Sequence, residues 1–238
     1  MTTEQNKHYI DISDALINQV DEHRPETIYR LFGALQAITS GFRISINDNG
    51  RHNKLSSFFD DPLNNPRISQ LLNVLDDIGN ESAVIYCRYT NEIDDIVRIL
   101  EDKAIPFSGE LSQKQRQENK TKFKHGQVQY FVANKSCAQF GLNLQFCHNE
   151  IFYNNDWDWG TRAQAEDRLH RAGQTRDVKI YDIYANDTLD TTILRCMARK
   201  ERMSDIFKKE VASHNRENLK QKLRAALLGQ MDKEEENG

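Results

Sequence analysis

The chain has no G-x-x-x-x-G-K-[ST] element anywhere in its 238 residues, so it lacks the backbone cradle and lysine with which a P-loop grips nucleotide phosphates. A glycine-rich dinucleotide loop and a catalytic-triad pattern are missing too, which leaves little support for a small-molecule enzyme on a doubly wound fold. Four cysteines, Cys87, Cys137, Cys147 and Cys196, are scattered with no C-x-x-C pair. That spacing argues against a zinc ribbon or a disulfide framework and favours reduced thiols. The opening "MTTEQNKHYIDISD" lacks the apolar run of a signal peptide, and no apolar stretch is long enough to span a bilayer, so the expected compartment is the cytoplasm. Charge of one sign is not in excess either. With 32 Lys and Arg against 36 Asp and Glu the formal net charge is -4, which excludes a polycationic binder of nucleic acid while leaving room for a local basic face.

What is present is a change of pattern near residue 80. Before it, apolar residues recur at helical spacing. Ile28, Leu31, Phe32, Leu35 and Ile38 form one stripe, with Pro25 near its start and Gly41 after its end. Ile68, Leu71, Leu72, Leu75 and Ile78 form another, stopped by Gly79. Between them, Asn49-Gly50 offers the turn of a hairpin. "DEHR" at Asp21 to Arg24 superficially imitates a magnesium-binding acidic motif, but "ALINQV" before it is too polar for a buried strand, and a helix explains it better.

From residue 82 strands and helices alternate. "SAVIYCRY", "VQYFVAN", "EIFYNN" and "VKIYDIYA" read as strands, and "TNEIDDIVRILEDK" as a helix. "ELSQKQRQENKTKFKHG" reads as a second helix, with Ser112 and Gln115 spaced as a capping box and Gly126 at its end. Such alternation implies an α/β fold: a doubly wound, mostly parallel sheet flanked by helices. The expected organisation is a helical extension over 1–80, the sheet domain over 81–207, and a charged helical tail over 208–238 whose end is disordered. Sites in such folds form at the carboxyl ends of strands, where the loops carry "CRYTNE", "NKSCAQFGLN" and "NNDWDWGTR".

The segment "QAEDRLHRAGQ", Gln164 to Gln174, places Gln164, Arg168 and Arg171 on one helical stripe beside Ala165, Leu169 and Ala172. Spacing alone favours a solvated helix laced by Arg162 with Glu166 and Asp167 with Arg171, since charged helix faces are common. The segment, however, resembles motif VI of the Swi/Snf-type DNA translocases of helicase superfamily two. In the same order, "AVIYCRYTNEIDDI" resembles the family's motif IV, "FSGELSQKQRQENKTKF" the segment after it, and "SCAQFGLNL" motif V. "YNNDWDWGTRAQAEDR" is similar to the approach to motif VI, and "NDTLDTTILRCMARKERMSDIF" to the closing helix. "LQAITSGF" and "NPRISQLLNVL" look like the helical connection that precedes the second core domain in phage and bacterial members, which implies a bacterial or phage-infected cytosol.

The resemblance implies a second RecA-like domain, the C-terminal motor half of an ATP-dependent DNA helicase or translocase. Its ATP site would be completed by a P-loop half, in a separate chain or a missing part of the same protein, which would hold most of the ATP and the Mg2+. Arg171 is then the arginine-finger candidate, Arg168 its partner at the phosphates, and Gln164 the residue orienting the pair. Gly141 and Asn143 would serve the nucleotide. Arg88, Gly109, Lys135 and Ser136 would meet DNA phosphates without reading sequence. Family members carry two glycines ahead of the "GLNL" element, where this chain has Ala138 and Gln139. Trp157 and Trp159 suit packing beside motif VI better than base stacking. The alternative function is a non-catalytic DNA-binding or helicase-regulating module that retains the motor fold.

Overall fold

The computed structural model describes residues 1–18, 25–45, 54–135, 144–155, 159–169, 174, 176–200 and 216–230. The chain divides into two compact units, one of Met1–Arg67, Trp157–Trp159 and Tyr184–Gly238, the other of Ile68–Asp156 and Gly160–Ile183.

The first unit holds helices α1 (Thr3–Asn18) and α2 (Pro25–Ser40), the antiparallel strands β1 (Phe42–Ser45) and β2 (Lys54–Ser57), and, from the far end of the chain, α7 (Leu189–Ala198) and α8 (Arg216–Leu227). Helix α1 starts on a reciprocal cap that the sequence spells as T-x-x-Q. The Thr2 N–H donates to Gln5 Oε1 at 2.8 Å and the Gln5 N–H to Thr2 Oγ1 at 3.3 Å. In α2 the stripe is realised as expected, with Phe32, Leu35 and Ile38 fully buried. Gly41 ends it at φ 101°, a left-handed conformation open to glycine, and a Cβ there would collide with the Asn65 side chain. The hairpin is present, and its turn lies outside the described residues.

Tyr9 joins the distant parts of this unit. Its ring is 1% exposed, its hydroxyl donates to the Leu227 carbonyl and accepts from the Leu189 N–H, both at 2.8 Å, and burial pushes its pKa above the usual phenol range. Leu219, Leu223, Ala226 and Leu227 of α8 join the same core. A buried ion pair, Arg67 with Asp190, lies in this unit. Arg67 Nε also donates to the Thr39 carbonyl at 3.1 Å, and Asp190 accepts from Thr39 Oγ1 and from the Ala185 N–H, each at 3.2 Å.

The second unit is built on five parallel strands: β3 (Ala83–Cys87), β4 (Ala104–Phe107), β5 (Tyr130–Asn134), β6 (Asn149–Phe152) and β7 (Lys179–Asp182). Their order is β4-β5-β3-β6-β7. Strand β4 is not among the four that the pattern gives, because "AIPF" is four residues long and contains Pro106. It lies at the sheet edge, where a residue without an N–H is tolerated. The burial pattern of β3, buried at every position, is that of a strand covered on both faces. One face packs Ile85, Val132 and Ile151 against α3 (Pro66–Ile78) and α4 (Thr90–Leu100). The other packs Val84, Tyr86, Phe131 and Phe152 against Phe123 of α5 (Gln113–Lys124) and Ala165 of α6 (Trp159–Glu166).

The expected α/β doubly wound sheet flanked by helices is therefore the observed one. The capping box of α5 is also present, with the Gln115 N–H on Ser112 Oγ at 3.3 Å and the Ser112 N–H on Gln115 Oε1 at 3.0 Å. The connection from β3 leads outward to β4, and that from β6 leads the opposite way to β7, so β3 and β6 flank the switch point of the sheet. A crevice opens at the carboxyl ends of strands at such a point. Among the described residues no helix is long and apolar enough to cross a membrane.

Candidate functional site

The carboxyl ends of β3, β5 and β6 gather a run of buried polar groups. Glu92, in the first turn of α4, is 1% exposed and turns its carboxylate back toward the end of β3. Its Oε2 accepts from the backbone N–H groups of Arg88 and Tyr89, both at 3.0 Å. Its Oε1 accepts from Asn154 Nδ2 at 2.6 Å, at the end of β6. Asn134, which ends β5, donates to the Arg88 carbonyl at 2.9 Å. The Arg88 backbone is thus held from both neighbouring strands, while its guanidinium stands 5.8 Å from the centre of the Tyr89 ring.

The residue after Asn154, beyond the end of β6, carries the run to α6. Asn155 Nδ2 donates to Asp182 Oδ1 at 2.6 Å, and Asn155 Oδ1 accepts from Arg162 Nη1 at 2.9 Å. Arg162 forks onto the Asp182 carboxylate, with Nη2 on Oδ2 at 3.0 Å and Nη1 on Oδ1. Its Nε donates to Glu166 Oε1 at 2.7 Å, and its plane lies 4.1 Å over the Phe152 ring. A planar guanidinium suits this two-pronged geometry, and Lys could not reproduce it. Burial works against the charge of Arg162, but hydrogen bonds and attraction from Asp182 and Glu166 win and hold its pKa above the ordinary value. The i, i+4 pair of Arg162 and Glu166 that spacing suggests is therefore real, as one bond of a larger lock.

Beneath α6 lies Glu150, fully buried on β6 in register with Val84. Burial raises its pKa to about 8, Glu166 and Asp182 push it the same way, and Arg162 pulls against them. Among the described residues neither carboxyl oxygen has a hydrogen-bond partner, nor do Tyr86 Oη and Arg168 Nε. Burial drives the Tyr86 phenol well above its usual pKa, with Glu150 adding to the shift and Arg168 opposing it. An acid held neutral, a phenol and one nitrogen of Arg168 therefore share this layer.

Ala165 and Leu169 are fully buried in the same layer, the packing expected of the small apolar stripe, and Gln164 beside them is exposed. The helix expected through Gln174 ends at Glu166. From there the backbone tightens, with Arg168 N–H on the Ala165 carbonyl at 2.9 Å and Leu169 N–H on the Glu166 carbonyl at 3.0 Å. Arg168 thus sits just past the helix end, half-buried, and its carbonyl accepts from the Leu144 N–H at 3.2 Å, the residue that closes "GLNL". Arg171, Gly141, Asn143 and Ser136 lie outside the described residues, as do Ala138, Gln139, Trp157 and "DEHR". Gly109 is exposed, and nothing stands within 4 Å of where its Cβ would be, so no steric demand for glycine exists there. Lys135 departs from the placement a phosphate contact calls for: it is 4% exposed, folded into the end of the sheet and not offered on the surface. Trp159 packs against the core of the first unit, with Lys200 Nζ 5.5 Å from its ring.

The roles of Glu92, Asn154 and Asp182 escape a reading along the chain because the partners of each come from other elements. A partial signal was available, since Glu92 follows Tyr89 at the spacing of a helix-start acceptor. Among the described residues no three His, Cys, Asp or Glu gather to hold a metal ion.

Comparison with known proteins agrees with this geometry. The helicase conserved C-terminal domain family matches residues 66–173. Helicase swr-1 of Neurospora crassa is 31% identical over 136 residues, 56% of this chain and 7% of that protein. Helicase domino of Drosophila melanogaster is 40% identical over 76 residues, 32% of this chain and 2% of its own. The chain thus spans less than a tenth of the length of these curated relatives. They are fungal and animal proteins, which overturns the expected phage or bacterial affinity. The Sulfolobus solfataricus SWI2/SNF2 ATPase core in complex with dsDNA superposes with a TM-score of 0.69 at 22% identity, covering 95% of this chain and 48% of that one. The C-terminal domain of the same ATPase gives 0.65 at 16% identity and covers 96% and 94%. Residues 66–173 are thus similar to the helicase conserved C-terminal domain, in a chain folded like the C-terminal domain of a SWI2/SNF2 ATPase.

Proposed function

We propose that this chain is the C-terminal motor half of a Snf2-type, ATP-dependent DNA helicase or translocase. The observation that carries the reading is the placement of the Gln164–Arg168 element. Within the segment matched by the helicase family, Gln164 stands on a helix that Arg162 locks to the carboxyl edge of a parallel sheet, and Arg168 follows just past the end of that helix. Phosphoryl transfer spreads negative charge over the transferring oxygens, and a fixed guanidinium stabilises that charge without reorganising. In this reading Arg171 is the finger, Arg168 its companion at the phosphates, and Gln164 the group that orients them. Gly141 lets the motif V loop turn tightly, and Asn143 meets the nucleotide.

The P-loop half supplies the phosphate cradle and the carboxylate for Mg2+, neither of which this sequence contains. DNA is the polymer moved. Support comes from a fold neighbour whose structure is a complex with dsDNA, and from the arginine presented at the end of β3. Arg88 and the backbone at Gly109 would touch phosphates, with Ser136 and Lys135 from the loop after β5. The buried Lys135 must first swing outward to do so.

A phosphate-release titration tests the division of labour. This chain alone, with saturating DNA and Mg2+, shows no turnover above background. Adding a P-loop-bearing helicase half restores hydrolysis, and Arg171→Ala abolishes the gain. Robust turnover by the chain alone, unaffected by Arg171→Ala, sinks the half-site reading. Duplex binding with no gain on adding that half favours the non-catalytic module.

A further inference from the structure

Glu92 is a buried acid inside the "AVIYCRYTNEIDDI" segment to which the resemblance assigns no role of its own, and it sits where three strand ends meet. Its oxygens take the N–H groups of Arg88 and Tyr89 at 3.0 Å and the Asn154 amide at 2.6 Å. Asn154 is 2% exposed and is followed by Asn155, which bonds Arg162 and Asp182. A chain of hydrogen bonds broken by one peptide link therefore runs from the Arg88 backbone to the helix that carries Gln164. Hydrogen bonds to a buried carboxylate are stronger than neutral ones, and losing the acceptor removes it from two part-buried N–H donors at once. A group of this kind fixes a loop more firmly than surface packing does.

We propose that Glu92 is a positioning residue for the DNA-facing Arg88 loop, holding its backbone in place and tying it through Asn154 to the end of β6 beside the Arg162 lock. The inference rests on the reading of Arg88 as a phosphate contact. The polarity of the pair suggests its own control. In Glu92→Gln the amide cannot accept from both the backbone pair and Asn154 without meeting an N–H2 group. In Glu92→Gln with Asn154→Asp, the carbonyl of the substituted glutamine takes the backbone N–H groups and its amide donates to the new carboxylate.

The experiment uses the full chain and two readouts. One is amide hydrogen exchange at Arg88 and Tyr89 by NMR, with Val84 and Ile85 in the middle of β3 as internal reference. The other is fluorescence anisotropy with a labelled mixed-sequence DNA duplex at low salt. Glu92→Gln is expected to speed exchange at Arg88 and Tyr89 by about tenfold or more, the scale of one lost charge-assisted bond, while the reference amides hold. It should weaken duplex binding about as much as Arg88→Ala does, and adding Arg88→Ala to Glu92→Gln should cost nothing further. The double variant Glu92→Gln with Asn154→Asp should restore both exchange protection and binding, which a merely space-filling role for Glu92 does not allow.

Unchanged exchange at Arg88 and Tyr89 in Glu92→Gln overturns the proposal, as does wild-type duplex binding by Glu92→Gln when Arg88→Ala binds weakly. If Arg88→Ala itself binds as wild type, the reading of Arg88 as a DNA contact fails, and the exchange data still decide whether Glu92 holds the loop. If Glu92→Gln speeds exchange at the reference amides as much as at Arg88 and Tyr89, the role is general stability and the proposal falls.

Discussion

Replacing Glu150 with Gln should make the protein more stable, and by an amount that grows with pH. Glu150 is fully buried, has no hydrogen-bond partner for either oxygen among the described residues, and has its pKa raised from 4.5 to about 8, first by burial and then by Glu166 and Asp182. In the unfolded chain the carboxyl gives up its proton near its ordinary value. The folded state keeps the proton until about pH 8, so unfolding releases a proton throughout the interval between. Stability from this group is therefore full below about pH 4.5, falls steadily as pH rises, and levels off above about pH 8. Each pH unit of that interval corresponds to about 1.4 kcal/mol, which sets a ceiling of about 5 kcal/mol, and relaxation around the charge brings the expected loss to about 2–4 kcal/mol. Gln has nearly the shape of the neutral acid and does not titrate. The assay is a set of urea titrations of wild type and Glu150→Gln at fixed pH from 5 to 8.5, followed by circular dichroism. The stability difference should be small at pH 5 and favour Gln by a few kcal/mol at pH 8.5. A difference that does not change with pH, or one that favours wild type more strongly as pH rises, would refute the assignment of a neutral buried acid beneath α6.

Three other outcomes are open to measurement. In the assembled two-half motor, Arg171→Ala and Arg168→Ala should each reduce DNA-stimulated ATP hydrolysis by about 10²- to 10⁵-fold, the range for a lost arginine finger, with circular dichroism unchanged. Wild-type turnover in either variant removes the reason for assigning a motor. Arg67→Met should destabilise the first unit by about 3–5 kcal/mol, because it leaves the Asp190 carboxylate buried without its cation, and a thermal melt unmoved from wild type would contradict that. Arg88→Ala should weaken duplex binding similarly on unrelated sequences and lower the slope of log affinity against log salt by roughly one, whereas strong dependence on one sequence would point to base readout.

The sequence by itself determined the fold class of the second unit and the place to look for its site. Strand runs such as "AVIYC" and helical stripes such as Ile68, Leu71 and Leu75 are local patterns, and burial on a parallel sheet demands them directly. The element "QAEDR" was legible for a related reason: Ala165 and Leu169 are small and apolar where the helix meets the sheet, and the polar residues between them are what remains at the edge. A short edge strand with a proline gave no such pattern, because an edge needs only one side of its hydrogen bonding. Other features belonged to tertiary structure alone. Tyr9, Leu189 and Leu227 meet through one hydroxyl, and Arg67 meets Asp190 across 123 positions, since packing closes distances that no periodicity records. The burial of Lys135, the neutral acid at Glu150 and the hold of Glu92 on the Arg88 backbone depend on which side chains surround a polar atom once water has left. That is set when the strand ends converge, and a reading along the chain sees only one of those ends at a time.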